Sequence, residues 1–180
     1  MSLKNTVTRV SRREIYQGRI FRVELDRVTL PTGHTMDMEV IRHPGSVVLL
    51  PQPSPGQIIL VRQYRYTLDR YIWELPAGSL KPGEDPGAAA VRECEEEIGL
   101  VPARVERLQG FYPTPGFCDE LMIYYRCTEL GAPAPGSTAR QDEDEDIEPR
   151  TFTLAEARAL VASGEIVDLK TVAGLALVEA

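Results

Sequence analysis

Acidic residues at fixed spacing around one arginine mark the middle of this sequence. Residues 78–100 read GSLKPGEDPGAAAVRECEEEIGL. Four of their glutamates are spaced around Arg92, namely Glu84, Glu93, Glu96 and Glu97. Like charges three or four residues apart on a helix repel each other by about 0.2–0.5 kcal/mol per pair. A hard divalent cation prefers oxygen ligands and would reverse this repulsion. The spacing therefore indicates a metal-binding cluster of carboxylates.

A helix between Asp85 and Gly99 would position these acids. Asp85 is a typical capping residue, Pro86 suits the first helical position, and Gly99 is a typical helix end. At about 100° per residue, one stripe carries Glu93, Glu96 and Glu97. The adjoining face, which we expect to be buried, carries Ala90, Val91, Cys94 and Ile98. The alternative is a surface helix with a solvated acidic face, which leaves the arginine, the glycines and Glu84 unexplained.

The full pattern is G-x5-E-x7-R-E-(apolar)-x-E-E-x-G-(apolar), and it resembles the Nudix box at every fixed position. Cys94 stands where that family usually has a larger aliphatic residue, and a buried cysteine keeps the packing role. The resemblance implies an α/β fold, the Nudix α/β/α sandwich with a mixed sheet. It also implies hydrolysis of a nucleoside diphosphate that is linked to another group.

Motifs outside the box resemble those of the ADP-ribose pyrophosphatase branch of that family. Gln63-Tyr64-Arg65 and Glu74-Leu75-Pro76-Ala77-Gly78 lead into the box, and Pro115 lies 15 residues beyond Leu100. Further matches are Tyr16-x-Gly18-Arg19-Ile20, the acidic run 142–147 and the segment 164–168. The branch implies cleavage of ADP-ribose to AMP and ribose 5-phosphate with Mg²⁺, for which Mn²⁺ can substitute.

The resemblance also assigns metal ligands. Glu93 and Glu97 would bind metal directly, with Glu96 as a ligand or near neighbour. The Ala77 carbonyl would complete the coordination sphere, and Glu145 would add a further ligand.

Catalytic roles follow in the same way. Glu97 counts among the catalytic residues, and Glu143 would be the general base on the attacking water. Arg92 cannot bind a cation, so its guanidinium would hold a box glutamate in place. Glu84 would orient the loop before the helix or reach the metal through water.

The acidic run has a simpler interpretation. Residues 142–148 contain six acids in seven positions, and such a run is often only a solvated loop. Because acids alternate along it, the roles of Glu143 and Glu145 could also be shifted by two residues.

Substrate contacts are expected on both sides of the box. Arg65 is permanently charged and suits a diphosphate, although it could be an exposed charge at a strand end. By resemblance, Arg19, Ile20 and Arg42 would line an adenine site, or would alternatively serve strand packing. The remaining expected substrate residues are Pro115, Gly116 and Glu120.

Two parts are expected along the chain, a β subdomain over residues 1–43 and a Nudix hydrolase domain over residues 44–180. The first part reads as strands around a Pro31-Thr32-Gly33 turn. About 40 residues bury too little surface to stand alone, so this piece must pack on its own chain or on a second copy. The resemblance favours a homodimer that exchanges it. Further on, Thr153-x-x-Glu156 predicts a helix ending at Gly164, and residues 170–178 predict a final helix.

Composition narrows the class of protein. A net charge of −7 over 180 residues, with no basic face, argues against a nucleic-acid partner. The apolar runs are too short to span a membrane, and residues 1–20 lack the pattern of a signal peptide. Three cysteines without metal-site spacing are typical of reduced thiols in a cytoplasmic protein.

Two rival functions stay open. The same chemistry would serve another nucleoside diphosphate sugar, such as GDP-mannose. A regulator that binds ADP-ribose without cleaving it is the rival from another class, and the intact box argues against it.

Overall fold

The computed structural model describes residues 6–137 and 146–178. The chain divides into two compact units. One contains residues 1–45 together with residues 112–121, and the other contains residues 46–111 together with residues 122–180. The grouping of residues 112–121 with the N-terminal stretch was not predicted from the sequence.

The first unit is built on a three-stranded antiparallel sheet in the order β1-β2-β3. Its strands are β1 (Thr8–Gln17), β2 (Arg22–Thr29) and β3 (Thr35–Arg42). The predicted turn between the last two is present, with Gly33 at a φ of 88°, a backbone region that glycine enters without steric cost. This sheet confirms the predicted N-terminal β-structure, and all ten residues of β1 are exposed.

The second unit contains the remaining strands in two sheets. They are β4 (Ser46–Pro51), β5 (Gln57–Arg65), β6 (Arg70–Glu74), β7 (Ala77–Ser79), β8 (Val101–Phe111), β9 (Met122–Gly131) and β10 (Ile147–Thr153). One sheet has the order β7-β4-β9-β8 and the other has the order β10-β5-β6. Because β4 pairs with β9 in parallel and with β7 antiparallel, the larger sheet is mixed. The α/β fold with a mixed sheet is therefore confirmed.

The described residues form three α-helices, and the first two follow the start and end signals that the sequence predicted. The helices are α1 (Pro86–Ile98), α2 (Leu154–Ser163) and α3 (Leu169–Ala176). The Asp85 side chain accepts a hydrogen bond from the Ala88 amide at 3.0 Å. Thr153 and Glu156 form the expected capping box before α2. Gly99 and Gly164 end α1 and α2 in the left-handed conformation, as the sequence indicated.

The core of the second unit lies among β4, β5, β9 and the last two helices. Its buried side chains are Val48, Leu50, Ile58, Leu60, Leu75, Tyr124, Phe152, Leu154, Ala157, Ile166, Leu175 and Val178. Trp73 packs edge-on against Phe152 with ring centroids 4.9 Å apart. Leu75 belongs to this core, so the segment that leads into the box is anchored in it. No helix in the described part of the chain is long and apolar enough to cross a membrane.

Candidate active site

Three of the four box acids, Glu93, Glu96 and Glu97, lie on α1, and two of these three are buried. Glu93 is 9% exposed and Glu97 is 4% exposed, whereas Val91, expected to be buried, is only half-buried. The helical wheel predicted the stripe correctly, but it did not show that the chain covers it. The reason is that β7 contacts the helix here, with Gly78 against Glu93 and the Ala77 amide against Glu97, whereas Glu96 is only half-buried.

Arg92 lies at the centre of the cluster. Its Nε and Nη2 atoms donate to the two oxygens of Glu84 at 2.8 and 2.9 Å. Its Nη1 atom donates to Glu93 at 2.6 Å and to Glu96 at 2.7 Å. One guanidinium therefore orders three of the four acids. These contacts are those expected of a residue that holds the box glutamates in place. That Arg92 supports catalysis in this way stays a prediction.

Gly78 is required by the close approach of a box acid. A Cβ atom at this position would lie 1.9 Å from Cδ and Oε1 of Glu93, a distance that no two unbonded atoms of this kind can adopt. The neighbouring Ala77 amide donates to Oε2 of Glu97 at 3.3 Å. The backbone of the short strand β7 therefore contacts both buried glutamates, Glu93 and Glu97.

The donor set suits a hard divalent cation. Within the cluster of Glu84, Glu93, Glu96, Glu97 and Arg92, four negative charges face one positive charge. Burying surplus negative charge is costly unless a cation offsets it, and carboxylate oxygens are the ligands that hard cations prefer. In the described residues no three acidic, histidine or cysteine side chains converge on a single ion position, and Arg92 contacts three of these acids. The metal roles of Ala77, Glu93, Glu96 and Glu97 therefore stay predictions.

We expect Gly78→Ala to weaken metal binding without unfolding the chain. The added methyl group must displace the Glu93 carboxylate, and this shift is possible because the clashing atoms are the far end of a flexible side chain. Titration with Mn²⁺, followed by electron paramagnetic resonance, should give an affinity at least about tenfold lower. Gly131→Ala is the control for an added methyl group, since nothing lies within 4 Å of its Cβ position and its φ is outside the left-handed region. Equal affinities for wild type and Gly78→Ala would contradict the proposed contact.

The Glu84–Arg92 pair should stabilise the fold in a pH-dependent way. Hydrogen bonds from Arg92 lower the pKa of Glu84 from its ordinary value of 4.5 to about 2. A carboxyl group with a depressed pKa stabilises the fold above its unfolded pKa and loses that effect as the pH falls toward its folded pKa. The Glu84→Gln variant should therefore melt below wild type at pH 7, and the gap should close between about pH 4.5 and pH 2.

The control for this prediction is Glu106→Gln, because Glu106 forms an exposed pair with Arg126 at 3.4 Å. Exposed pairs contribute little to stability, so its melting temperature should stay near that of wild type. If the melting temperature of Glu84→Gln lies equally far below that of wild type at pH 7 and at pH 2.5, the stabilisation by Glu84 is not ionic in origin.

Arg65 lies at the end of β5 and pairs with a residue that the sequence did not single out for a site. Its Nε and Nη2 atoms donate to the two oxygens of Glu74 at 2.6 and 2.7 Å. The hydrogen bonds that Arg65 donates to Glu74 raise the pKa of the guanidinium further. Because 40% of the Arg65 side chain is exposed, it can still meet a ligand, and its predicted diphosphate contact stays a prediction.

Glu143 and Glu145 lie outside the described residues, so their roles as general base and metal ligand stay predictions. The described part of the chain resumes at Asp146, which accepts a hydrogen bond from the Tyr71 hydroxyl. Strand β10 begins at Ile147. The sequence missed this strand because the acidic run extends into its first residues.

The first unit brings three of the predicted substrate residues together. Arg42, Pro115 and Gly116 line a cavity of about 270 Å³. Glu120 lies 3.7 Å from the imidazole of His43. Arg19 and Ile20 lie in the exposed bend between β1 and β2.

Arg42 also has a structural role within this unit. It donates to Glu24 at 2.8 Å, to Asp26 at 2.6 Å and to Asp119 at 3.1 Å. Glu24 and Asp26 are buried, so the guanidinium offsets two acids and joins β3 to the segment 112–121. The predicted contact of Arg42 with adenine stays a prediction beside this role.

The three cysteines are free, and two of them, Cys94 and Cys127, are fully buried. The hydrogen bond with Cys127 and burial both raise the pKa of Cys94. Cys94 is therefore a protonated thiol that packs behind the acidic stripe, as the sequence suggested.

Comparison with known proteins assigns this fold and site to a family. The NUDIX domain model matches residues 42–173, and the nucleoside diphosphate sugar hydrolase N-terminal domain model matches residues 7–41. The chain belongs to the Nudix family. It is thus a Nudix hydrolase, and members of this family generally use a divalent metal ion.

Relatives cover most of the chain. An ADP-ribose pyrophosphatase of Bacillus subtilis (strain 168) is 37% identical over 162 residues, which are 90% of this chain and 86% of that protein. A methanol dehydrogenase activator of Bacillus methanolicus is 39% identical over 159 residues, 88% of this chain and 85% of its own length. A crystal structure described as an ADP compounds hydrolase has a TM-score of 0.82 at 22% identity and covers 98% of this chain and 94% of its own. At that identity the structural likeness concerns the fold.

Proposed function

We propose that this chain hydrolyses ADP-ribose to AMP and ribose 5-phosphate, with Mg²⁺ as its metal and Mn²⁺ as a substitute. The observation that carries the proposal is the Arg92-centred acid cluster held against Gly78, since it supplies hard oxygen donors with surplus negative charge. The relative from Bacillus subtilis, named as an ADP-ribose pyrophosphatase, supports this choice of substrate.

The reaction requires an attack by water on a phosphorus atom of the diphosphate. One P–O bond forms to the water oxygen, the bond to the bridging oxygen breaks, and both products leave as phosphate monoesters. A divalent cation supplies charge neutralisation at the phosphate oxygens and a lower pKa for bound water. Glu93, Glu96, Glu97 and the Ala77 carbonyl would hold it.

The other groups of the chain act around this centre. Arg92 holds the carboxylates of Glu84, Glu93 and Glu96 in place. Arg65 binds a diphosphate oxygen, and Glu143 accepts the proton that water releases. Each role follows from charge and hydrogen-bonding capacity, because a permanently charged guanidinium binds oxyanions and a carboxylate accepts protons.

A phosphate-release screen tests the substrate. Purified protein with Mg²⁺ is incubated with ADP-ribose, GDP-mannose and other nucleoside diphosphate sugars, and a phosphatase then frees phosphate from the monoester products. We expect the highest kcat/KM for ADP-ribose. A higher value for GDP-mannose or another nucleotide sugar would transfer the proposal to that substrate.

A regulatory role is the second candidate, because a relative carries the name of an enzyme activator. A regulator of this kind would bind ADP-ribose in calorimetry and release no phosphate in the screen. Turnover with ADP-ribose would exclude a purely binding role.

We also propose a homodimer in which the N-terminal unit of each chain helps to build the substrate site of its partner. Nine large apolar side chains are exposed in the described part of this unit, namely Val7, Val10, Ile15, Tyr16, Ile20, Phe21, Met36, Tyr112 and Phe117. Apolar surface concentrated in this way is typical of an interface, and two-fold pairing is the commonest oligomer. Sedimentation equilibrium at micromolar concentration should give the mass of a dimer, and a monomer would contradict the proposal.

Mixing of two inactive variants tests the shared site. A Glu97→Gln chain and an Arg19→Ala chain should regain partial activity as a heterodimer, because one of its two sites would have both intact parts. Arg19 suits this test better than Arg42, since Arg42 offsets the buried acids Glu24 and Asp26. Absence of recovery in a proven heterodimer would mean that the N-terminal unit serves packing and does not contribute to the substrate site.

We also propose that the protein is cytoplasmic, because its three cysteines are free.

A further inference from the structure

A buried ion cluster connects the start of α3 to the segment that leads into the box. The side chains of Lys170 and Glu74 are 7% and 2% exposed. Nζ of Lys170 donates to Oε2 of Glu74 and, at 2.9 Å, to Oδ2 of Asp168. Neither Lys170 nor Glu74 has a part in the proposed chemistry, and they lie 96 residues apart in sequence.

Glu74 uses its other contacts to hold Arg65. The guanidinium meets the carboxylate through Nε and Nη2 at 2.6 and 2.7 Å, a bidentate geometry that fixes its plane. Burial alone would raise the pKa of Glu74, but the hydrogen bonds from Arg65 and the charge of Lys170 lower it overall. The carboxylate is therefore ionised. It occupies Nε and Nη2 of Arg65, and no contact of Nη1 is found among residues 6–137 and 146–178.

The same helix holds the next residue of the segment. Oγ1 of Thr171 accepts a hydrogen bond from the Leu75 amide at 2.7 Å and donates to Asp168 at 2.6 Å. A Cβ atom at Gly174 would lie 2.3 Å from Cδ1 of Leu75. The first turns of α3 therefore pack against Glu74 and Leu75. These two residues lie shortly before Ala77 in the sequence.

Stability alone does not explain why this cluster is charged. Ions in a protein interior lose their hydration, and apolar residues of similar volume often replace such pairs at no cost in stability. What the charges provide here is orientation, since Lys170 fixes one Glu74 oxygen and Glu74 in turn fixes the fork of Arg65. We expect that without Lys170 the Glu74 carboxylate can rotate and that the guanidinium bound to it turns with it.

We propose that Lys170 is a positioning residue, which acts through Glu74 to hold Arg65 in the orientation that binds the substrate diphosphate. The inference rests on the proposed function of Arg65, and it concerns diphosphate binding, whichever nucleotide sugar is the substrate. It assigns α3 a role in affinity for substrate in addition to its place in the core.

The test measures diphosphate affinity and kinetics in a set of matched variants. The binding probe is methylenediphosphonate, an analogue whose bridge water cannot cleave, titrated by calorimetry with excess Mg²⁺. Lys170→Met should raise the Kd for this probe and the KM for ADP-ribose by about tenfold or more, because an oriented charge-assisted hydrogen bond is lost. Lys170→Arg keeps the charge and should restore both values to within about twofold of wild type.

A double-mutant cycle shows whether Lys170 acts through Arg65. In an Arg65→Met background, Lys170→Met should cause no further rise in KM beyond about twofold. Additive effects would mean that Lys170 acts by another route and would overturn the proposal.

Folding is followed separately, by thermal melting and by the fluorescence of Trp73, which is the single tryptophan and the neighbour of Glu74. The Lys170→Met, Glu74→Gln double variant removes one charge of each sign and should show the same rise in KM. A merely structural residue would lower the fraction of active protein and leave KM unchanged. Unchanged KM and Kd, or failure of both the single and the double variant to fold, would overturn the proposal.

The substrate proposal can fail independently. Wild type could bind methylenediphosphonate, with weaker binding by Lys170→Met, and yet fail to cleave ADP-ribose. That result would support the positioning role of Lys170 and contradict ADP-ribose as the substrate. If wild type does not bind the probe, Arg65 has no diphosphate to hold and the positioning role falls.

Discussion

Replacement of Glu97 with glutamine should abolish turnover and leave the fold intact. Glu97 is 4% exposed and accepts a hydrogen bond from the Ala77 amide at 3.3 Å. The glutamine carbonyl can accept the same bond, so packing is preserved while the negative charge is removed. If Glu97 binds the catalytic cation, kcat/KM should fall by at least about 10³-fold, which corresponds to the several kcal/mol that metal-ion catalysis supplies.

The matched control is Glu95→Gln on the same helix. Glu95 is only half-buried and accepts a hydrogen bond from Ser137, and it is not among the predicted ligands. Activity and melting temperature of this variant should stay close to those of wild type. Near-normal activity of Glu97→Gln at saturating Mg²⁺ would contradict the assignment of the box as a metal site.

Glu143→Gln should separate catalysis from binding. Loss of a general base lowers kcat by about 10²–10⁴-fold, with little change in KM, because the substrate still binds while the proton of the attacking water has no acceptor. Steady-state kinetics with ADP-ribose at fixed Mg²⁺ measures this split. Glu148→Gln, an exposed position in β10, is the control and should behave as wild type.

The neighbouring acid decides between the alternatives for this run. If Glu145→Gln lowers kcat in the same way and Glu143→Gln instead weakens metal affinity, the two roles are exchanged. If neither substitution changes the kinetics, the run is only a solvated loop, and the base must be sought elsewhere.

The parts of the fold that the sequence predicted are those set by local chemistry. Asp85 and Gly99 delimit α1, and the pair Thr153 and Glu156 opens α2, because caps are satisfied within one turn of the helix. The box could be predicted for the same reason, since most of its residues share one loop and one helix.

The parts that the sequence did not predict depend on contacts between distant residues. The wheel of α1 predicted which acids share a stripe, but the burial of Glu93 results from the approach of Gly78, which only the folded chain shows. Lys170 looked like the first residue of a terminal helix, and its partner Glu74 lies 96 positions away. A lysine beside an apolar helical face is a weak signal for a buried ion pair, because long side chains usually reach solvent.

Identification of the products tests the account most directly. Purified protein is incubated with ADP-ribose and Mg²⁺, and the mixture is resolved by liquid chromatography and mass spectrometry, with a chelator in a parallel reaction. We expect AMP and ribose 5-phosphate in equal amounts with Mg²⁺ and unchanged ADP-ribose with chelator. ADP or adenosine as the nucleotide product, or cleavage that persists in the presence of chelator, would contradict hydrolysis of the diphosphate at a metal-binding Nudix site.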